Sequence, residues 1–300
     1  MDRKNFQSSI FLLIAAIIWG CAFVAQKIGM KTIGPFWYTG LRFALGTVLI
    51  FPLIFFEKPE HSIVRRDWLS GIGIGLLLFI AINLQQIALI YARVSNTGFI
   101  TSLYVALVPI ICMFSGHRYG IGVWGGAFMA TAGLYLLSVH GELQIDPGDF
   151  FTLLSAFFWA FQVIALSTYG HGLPPIRMAV TQSATCVVLS LAVAVFREPI
   201  SLKIISNAGI PLLYGSVMSV AIGFTLLVLA QRHIRAAHTA IILSLESVIA
   251  AGAGWLFLHE VIDIRALVGC ALILIGTIWA QLSSEKTPSK RVALVENRPS

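Results

Sequence analysis

Long apolar runs separated by short polar segments follow one another along almost the whole chain. A helix needs about 20 mostly apolar residues to cross a hydrocarbon core of ~30 Å. Runs of that kind can be read at 10–28, 36–56, 69–90, 97–115, 121–139, 150–168, 177–196, 209–230, 238–258 and 264–282. They are continuous, whereas the strands of a membrane barrel would alternate over ~10-residue segments. The pattern predicts an all-α integral membrane protein with ten transmembrane helices. The connections it leaves are too short to hold a soluble domain.

Composition sharpens this picture. Of 300 residues, 58% are hydrophobic and 11% charged, and the mean hydropathy is +0.88. A soluble globular chain carries roughly 25% charged residues, so the charge needed to coat a soluble surface is missing. The net charge of +7 is scattered between the apolar runs and forms no aromatic-interleaved basic patch, so no nucleic-acid partner is expected. It reads instead as a positive-inside signal. With the N-terminus inside, 13 Lys and Arg fall on inner segments and six on outer ones, which predicts two cytoplasmic termini in a multi-pass protein of the cell (inner) membrane. The start, Met1 to Lys4 before an apolar stretch, has the look of a signal peptide. It runs on through Trp19-Gly20 without a convincing cleavage site, so it is read as an uncleaved first span. The polar stretch 284–300 is expected to be a disordered cytoplasmic tail. Cys21, Cys112, Cys186 and Cys270 lie inside apolar runs with no C-x-x-C spacing, so they read as small buried hydrophobes. No metal site and no cofactor are expected.

The chain also repeats itself. Trp19-Gly20 and Gly34-Pro35 meet Trp159-Ala160 and Pro174-Pro175 at an offset of 140. The segment Thr97-Gly98-Phe99-Ile100-Thr101-Ser102-Leu103 aligns with Thr239-Ala240-Ile241-Ile242-Leu243-Ser244-Leu245 at 142, as does His117 with His259. Gly126 and Gly133 meet Gly269 and Gly276 at 143. The expected units are residues 1–140 and 141–283, each with five spans. Five is odd, so the second unit enters the membrane from the opposite side. Such inverted repeats can exchange conformations and open a central site to either face in turn.

These residues resemble the EamA-type transporters of the drug/metabolite transporter superfamily. The likeness is carried by Ile17-Ile18-Trp19-Gly20, by Gly40-Leu41-Arg42-Phe43, by the run from Asn96 to Ile110, and by Leu258-His259-Glu260. It covers roughly residues 10–282 and is diffuse. One departure is that an acidic residue common in the family after the fourth span is replaced here by His117-Arg118. The resemblance implies a secondary exporter of small metabolites, amino acids or drug-like compounds, without ATP hydrolysis.

Polar residues inside apolar spans point to a site. An ionisable group at the helix centre costs at least ~2.5–3.5 kcal/mol, so it needs a partner or a task. Glu246 is the one carboxylate deep within a predicted span, ~12 Å from its start at 1.5 Å per residue. At 100° per residue it shares a helix face with Thr239, Ala250 and Ala253. It is a candidate for binding a substrate amine or carrying a coupling proton; private pairing with Arg42 is the structural alternative. Tyr104 is its repeat mate, with Thr97 and Thr101 nearby. Trp19 and Gln26 share a face of the first span, Asn83 and Gln86 one of the third, and Trp159 and Gln162 one of the sixth. Indoles and amides on several helices suit a cavity for small, weakly charged solutes, although any single amide can simply hold helices together. Arg42 and Lys27, near the ends of their spans, are expected to snorkel to water. Gly71-x-x-x-Gly75, Gly122-x-x-x-Gly126 and the run 250–254 are expected to let helices approach closely.

The partners expected are a small-molecule substrate, the lipid bilayer and, as a candidate coupling ion, the proton, acting on a monomer or homodimer. An intramembrane lipid-processing enzyme or a scramblase is the rival reading. His259-Glu260 opens like H-E-x-x-H, but position 263 is Asp, so that zinc site is absent, and no enzymatic activity is expected.

Overall fold

The computed structural model describes residues 3–58, 62–92, 94–116, 119–138, 147–199, 205, 208–259 and 263–284, and these contain helices and no strand. His117, Arg118, Glu260 and the stretch 285–300 lie outside the described residues. The first half holds α1 (Arg3–Gly29), α2 (Pro35–Ile50) with a 3-10 extension (Phe51–Phe56), α3 (Arg65–Tyr91), α4 (Val94–Ser102), α5 (Tyr104–Phe114) and α6 (Ile121–Ser138). The second holds α7 (Pro147–Tyr169), α8 (Pro175–Arg197), α9 (Gly209–Tyr214), a π-helical segment (Gly215–Phe224), α10 (Thr225–Ala230), α11 (Ala236–Leu243), α12 (Leu245–Leu258) and α13 (Ile264–Ser284). Among the described residues, seven helical stretches are long and apolar enough to cross a bilayer, and three shorter apolar helices accompany them, at Ile100–Phe114, Ile121–Leu136 and Ile264–Ala280.

The perimeter is apolar: Phe56 and Phe196, after α2 and at the end of α8, are 84% and 86% exposed. Inside, apolar side chains such as Leu12, Phe43, Leu78 and Met178 pack together with buried polar ones, among them Ser155, Thr181, Ser190 and Thr239. An apolar perimeter around an interior that also carries hydrogen-bonding groups is what a hydrocarbon solvent selects, because packing and hydrogen bonds hold helices together there.

Two pairs of equivalent helices lie against each other, α2 with α8 and α6 with α13. The Glu57 carboxylate accepts hydrogen bonds from the backbone N–H groups of Ile176 (2.7 Å) and Arg177 (3.1 Å), at the start of α8. The Glu198 carboxylate accepts from Phe36 (3.0 Å) and Trp37 (2.9 Å), at the start of α2. Each acid follows the end of one helix and caps the beginning of the other, so α2 and α8 run antiparallel. Both caps also place a negative charge at the positive end of a helix dipole. A Cβ added at Gly34 would fall 2.4 Å from the Glu198 carboxyl carbon, so this position needs glycine for the acid to dock. The α6–α13 pair is antiparallel too. Going up α6, Gly122, Gly126 and Gly133 meet Ser283, Gly276 and Gly269 in turn, the last two at backbone distance.

Three runs expected to be continuous spans are not uniform α-helix. The run at 97–115 breaks at Leu103 (φ −59, ψ −16) and that at 238–258 at Ser244 (φ −60, ψ −17), in the same turn of the repeat and one residue out of register. A ψ this close to zero is a 3-10 tightening of the turn. At Ser244 the cause is hydroxyl competition with the helix ladder: its Oγ donates to Ile241 O (2.7 Å), and Ser247 Oγ donates to Ser244 O (2.6 Å). The run at 209–230 is underwound into the π-helical segment, a form found frequently at functional sites. The run 250–254 is not a uniform packing stripe either, because Gly252 faces open space.

A polar cavity between the two halves

A cavity of about 510 Å³ of empty space, counting its open part, lies where the broken and underwound segments converge. Tyr104 and Glu246 both line it, each ten residues from the start of its helical run, at Val94 and Ala236. At 1.5 Å per residue this is ~15 Å, half the thickness of a hydrocarbon core. From α1 come Trp19, Phe23 and Gln26, from α7 Trp159, Gln162 and Val163, and from the π segment Ser219 and Phe224. The remaining polar lining is Arg42 of α2, Gln85 of α3 and Thr101 of α4.

Aromatic rings form its wall. Phe224 stands between the repeat mates Trp19 (4.9 Å between centroids, 51°) and Trp159 (6.3 Å, 15°). The Trp19 indole donates to Ser219 O at 3.1 Å, and a Cβ at Gly223 would come within 2.6 Å of its nitrogen. Gly223 and the wide π turn thus make room for the ring. The Trp159 indole donates to Gln85 Oε1 at 2.8 Å.

The polar groups divide into satisfied and unsatisfied ones. Ser102 Oγ stands 3.5 Å from Glu246 Oε1, and the Tyr104 hydroxyl also faces this carboxylate. Gln162 Nε2 donates to Gln182 Oε1 at 3.2 Å. By contrast Gln26 Oε1, Thr101 Oγ1, Gln162 Oε1 and all three guanidinium nitrogens of Arg42 are buried without a hydrogen-bond partner. Such a group forfeits about 1–3 kcal/mol, more when charged, so a set of them around one cavity fits a space that water or a solute fills.

Of the candidate residues read from the sequence, Trp19, Gln26, Thr101, Tyr104, Trp159, Gln162 and Glu246 come together here. Asn83, Gln86, Thr97 and Thr239 do not line the cavity, although all four are buried. Asn83 Nδ2 donates to Ser190 Oγ (3.0 Å) and Phe79 O (2.8 Å), joining α3 to α8. Gln86 Nε2 points to the Met30 sulfur at 3.0 Å, while its neighbour Gln85 faces the cavity. Lys27 does not reach for water but donates to the carbonyls of Leu89 and Ala92 at the end of α3. Arg42 does not snorkel: it is 1% exposed. Its helix is pressed so closely on the π segment that a Cβ at Gly46 would lie 2.8 Å from Ser216 O, and one at Gly215 3.1 Å from Arg42 Cδ. Nor does it pair with Glu246, since none of its nitrogens has a hydrogen-bond partner.

Comparisons with known proteins agree on kind. The family model described as "EamA-like transporter family" matches residues 7–139 and again residues 146–281. An "uncharacterized transporter" of Archaeoglobus fulgidus is 28% identical over 93% of this chain and 87% of its own length. The transporter YoaV of Bacillus subtilis is 24% identical over 88% of this chain and 93% of its own. A "probable amino-acid metabolite efflux pump" of Escherichia coli K12 is 28% identical over 53% of this chain and 52% of its own. A crystal structure with 18% identity superposes with a TM-score of 0.74 over 92% of this chain and 98% of that one, which shows the fold alone.

Proposed function

Because the chain belongs to the EamA-like transporter family of the drug/metabolite transporter superfamily, we propose that it exports small metabolites by alternating access. In this reading ten spans form two inverted five-helix units, residues 1–140 and 141–283, with both termini in the cytoplasm. The units rock about the mid-membrane cavity, so that the cavity opens to one face and then to the other. The solutes are amino acids, related zwitterionic or cationic compounds, or drug-like molecules. The printed name of the Escherichia coli relative supports the first of these.

One observation carries the reading. The cavity is walled by equivalent helices of both halves, and its polar side chains keep buried atoms without partners at the level where two spans break. Interrupted helices near the bilayer midplane are how transporters of inverted-repeat type expose solute-binding groups.

Protons are the candidate driving ion and Glu246 their carrier. Its carboxylate faces hydroxyl groups, and the Arg42 guanidinium does not bond it, so a proton can cancel its charge during the cycle. In proteoliposomes holding the purified full-length chain, fluxes of a panel of amino acids and cationic dyes are measured with and without a proton gradient. At least one solute should move, faster with the gradient, and Glu246→Gln should lose the gradient's effect. Unchanged gradient dependence in that variant would remove Glu246 from coupling. No flux of any panel member would count against transport itself.

A further inference from the structure

The cavity contains a cation that its own surroundings do not balance. Arg42 is buried, lines the cavity, and has no hydrogen-bond partner at Nε, Nη1 or Nη2. Two aromatic rings of its own helix stand near it: the guanidinium carbon is 5.4 Å from the Tyr38 ring centre and 5.3 Å from that of Phe43. The Tyr38 hydroxyl is turned away to donate to Pro211 O at 3.0 Å. The equivalent position in the second half is Gln182, a neutral amide whose Oε1 accepts from Gln162 and whose Nε2 has no partner. The cation is therefore not a requirement of the duplicated scaffold. Glu246, the carboxylate of the same cavity, is met by Ser102 and Tyr104 and leaves the guanidinium free.

A guanidinium offers five N–H donors in a planar fork that matches a carboxylate, and it keeps its charge when enclosed. Resting on the transport reading above, we propose that Arg42 grips the carboxylate of the transported solute while Glu246 faces its amino group. The substrates are thus small zwitterionic amino-acid-like molecules. This narrows the solute classes given above: purely cationic compounds are the poorer substrates, because they would leave the buried guanidinium unanswered and add a second positive charge beside it. The apolar part of the solute packs on Trp19, Phe224 and Trp159, which form a continuous aromatic wall of the same cavity.

The test compares each acid with its amide. Full-length protein in proteoliposomes is given L-leucine, L-phenylalanine and L-threonine and, separately, their α-amides, which keep the ammonium group and lack the carboxylate. Wild type should move at least one acid about tenfold or more faster than its amide, because a site built around a polar group rejects the analogue lacking it. Arg42→Gln should bring the acid down to the amide's rate. Arg42→Lys, which keeps the charge without the fork, should raise the KM for the acid severalfold and keep some preference for it over the amide. An amide moved as fast as its acid by wild type overturns the assignment even if no variant folds, and so does Arg42→Gln with an undiminished preference. Transport of cationic dyes without any acid or amide would overturn this inference and leave the transport reading standing. A wild type that moves acids, amides and dyes no faster than empty vesicles would overturn both.

Discussion

The two halves share a scaffold but not a chemistry. Equivalent acids, Glu57 and Glu198, cap equivalent helices with two hydrogen bonds each. Equivalent turns break at Leu103 and Ser244 with backbone angles one degree apart. Equivalent tryptophans flank Phe224. Yet where the first half places Arg42 the second has Gln182, and where the first has Tyr104 the second has Glu246. On the proposed alternating-access reading, symmetry at the periphery would serve movement, because two similar halves make inward and outward forms close in energy. On the proposed substrate reading, asymmetry in the middle would serve recognition, because a solute with two unlike ends needs two unlike partners.

If the scaffold is symmetric, equivalent substitutions should cost the same. The sharpest case is the α6–α13 contact. A Cβ at Gly133 would fall 2.5 Å from Gly269 O, and one at Gly276 would fall 2.8 Å from Gly126 O. Gly133→Ala and Gly276→Ala should each destabilise by about 2–3 kcal/mol, the usual cost of forcing atoms into a packed interface. Thermal unfolding in detergent, followed by loss of the monodisperse species, measures this. A large loss at one glycine and none at the other would break the comparison.

A smaller effect is expected at the helix caps. Glu57→Gln and Glu198→Gln remove the charge from each cap while leaving an acceptor, so each should lose about 1 kcal/mol. The same unfolding assay reads the losses, which should agree and add in the double variant because the caps sit at opposite ends of the α2–α8 pair. If the losses differ by more than their own size, the two ends are not equivalent.

Much of this was legible in the sequence, for physical reasons. Polar side chains are costly in lipid, so Trp19, Gln26, Thr101, Tyr104, Trp159, Gln162 and Glu246 stood out against apolar runs and do gather in the cavity. The offset near 140 announced the duplication. Depth along a helix can be counted, but lateral packing cannot. That is why Arg42, near the end of its run, reads as a residue at water and lies instead buried against the π segment. Gln85 and Gln86 are adjacent, and periodicity alone chose the one that faces Met30. Phe224 carried no signal, being one apolar residue in an apolar run. The breaks at Leu103 and Ser244 lack the Gly or Pro that marks most interruptions; a serine hydroxyl makes the second one, and its cost is invisible until the helix is built.

The central claim is that one cavity is reached from both sides of the membrane, and Ser219, which lines it, offers the most direct view. With Cys21, Cys112, Cys186 and Cys270 replaced by alanine, Ser219→Cys is exposed to a membrane-impermeant maleimide from either face of oriented vesicles. Labelling from both faces is the predicted result, with a saturating transported solute slowing it from each. Labelling from a single face under every condition would contradict alternating access.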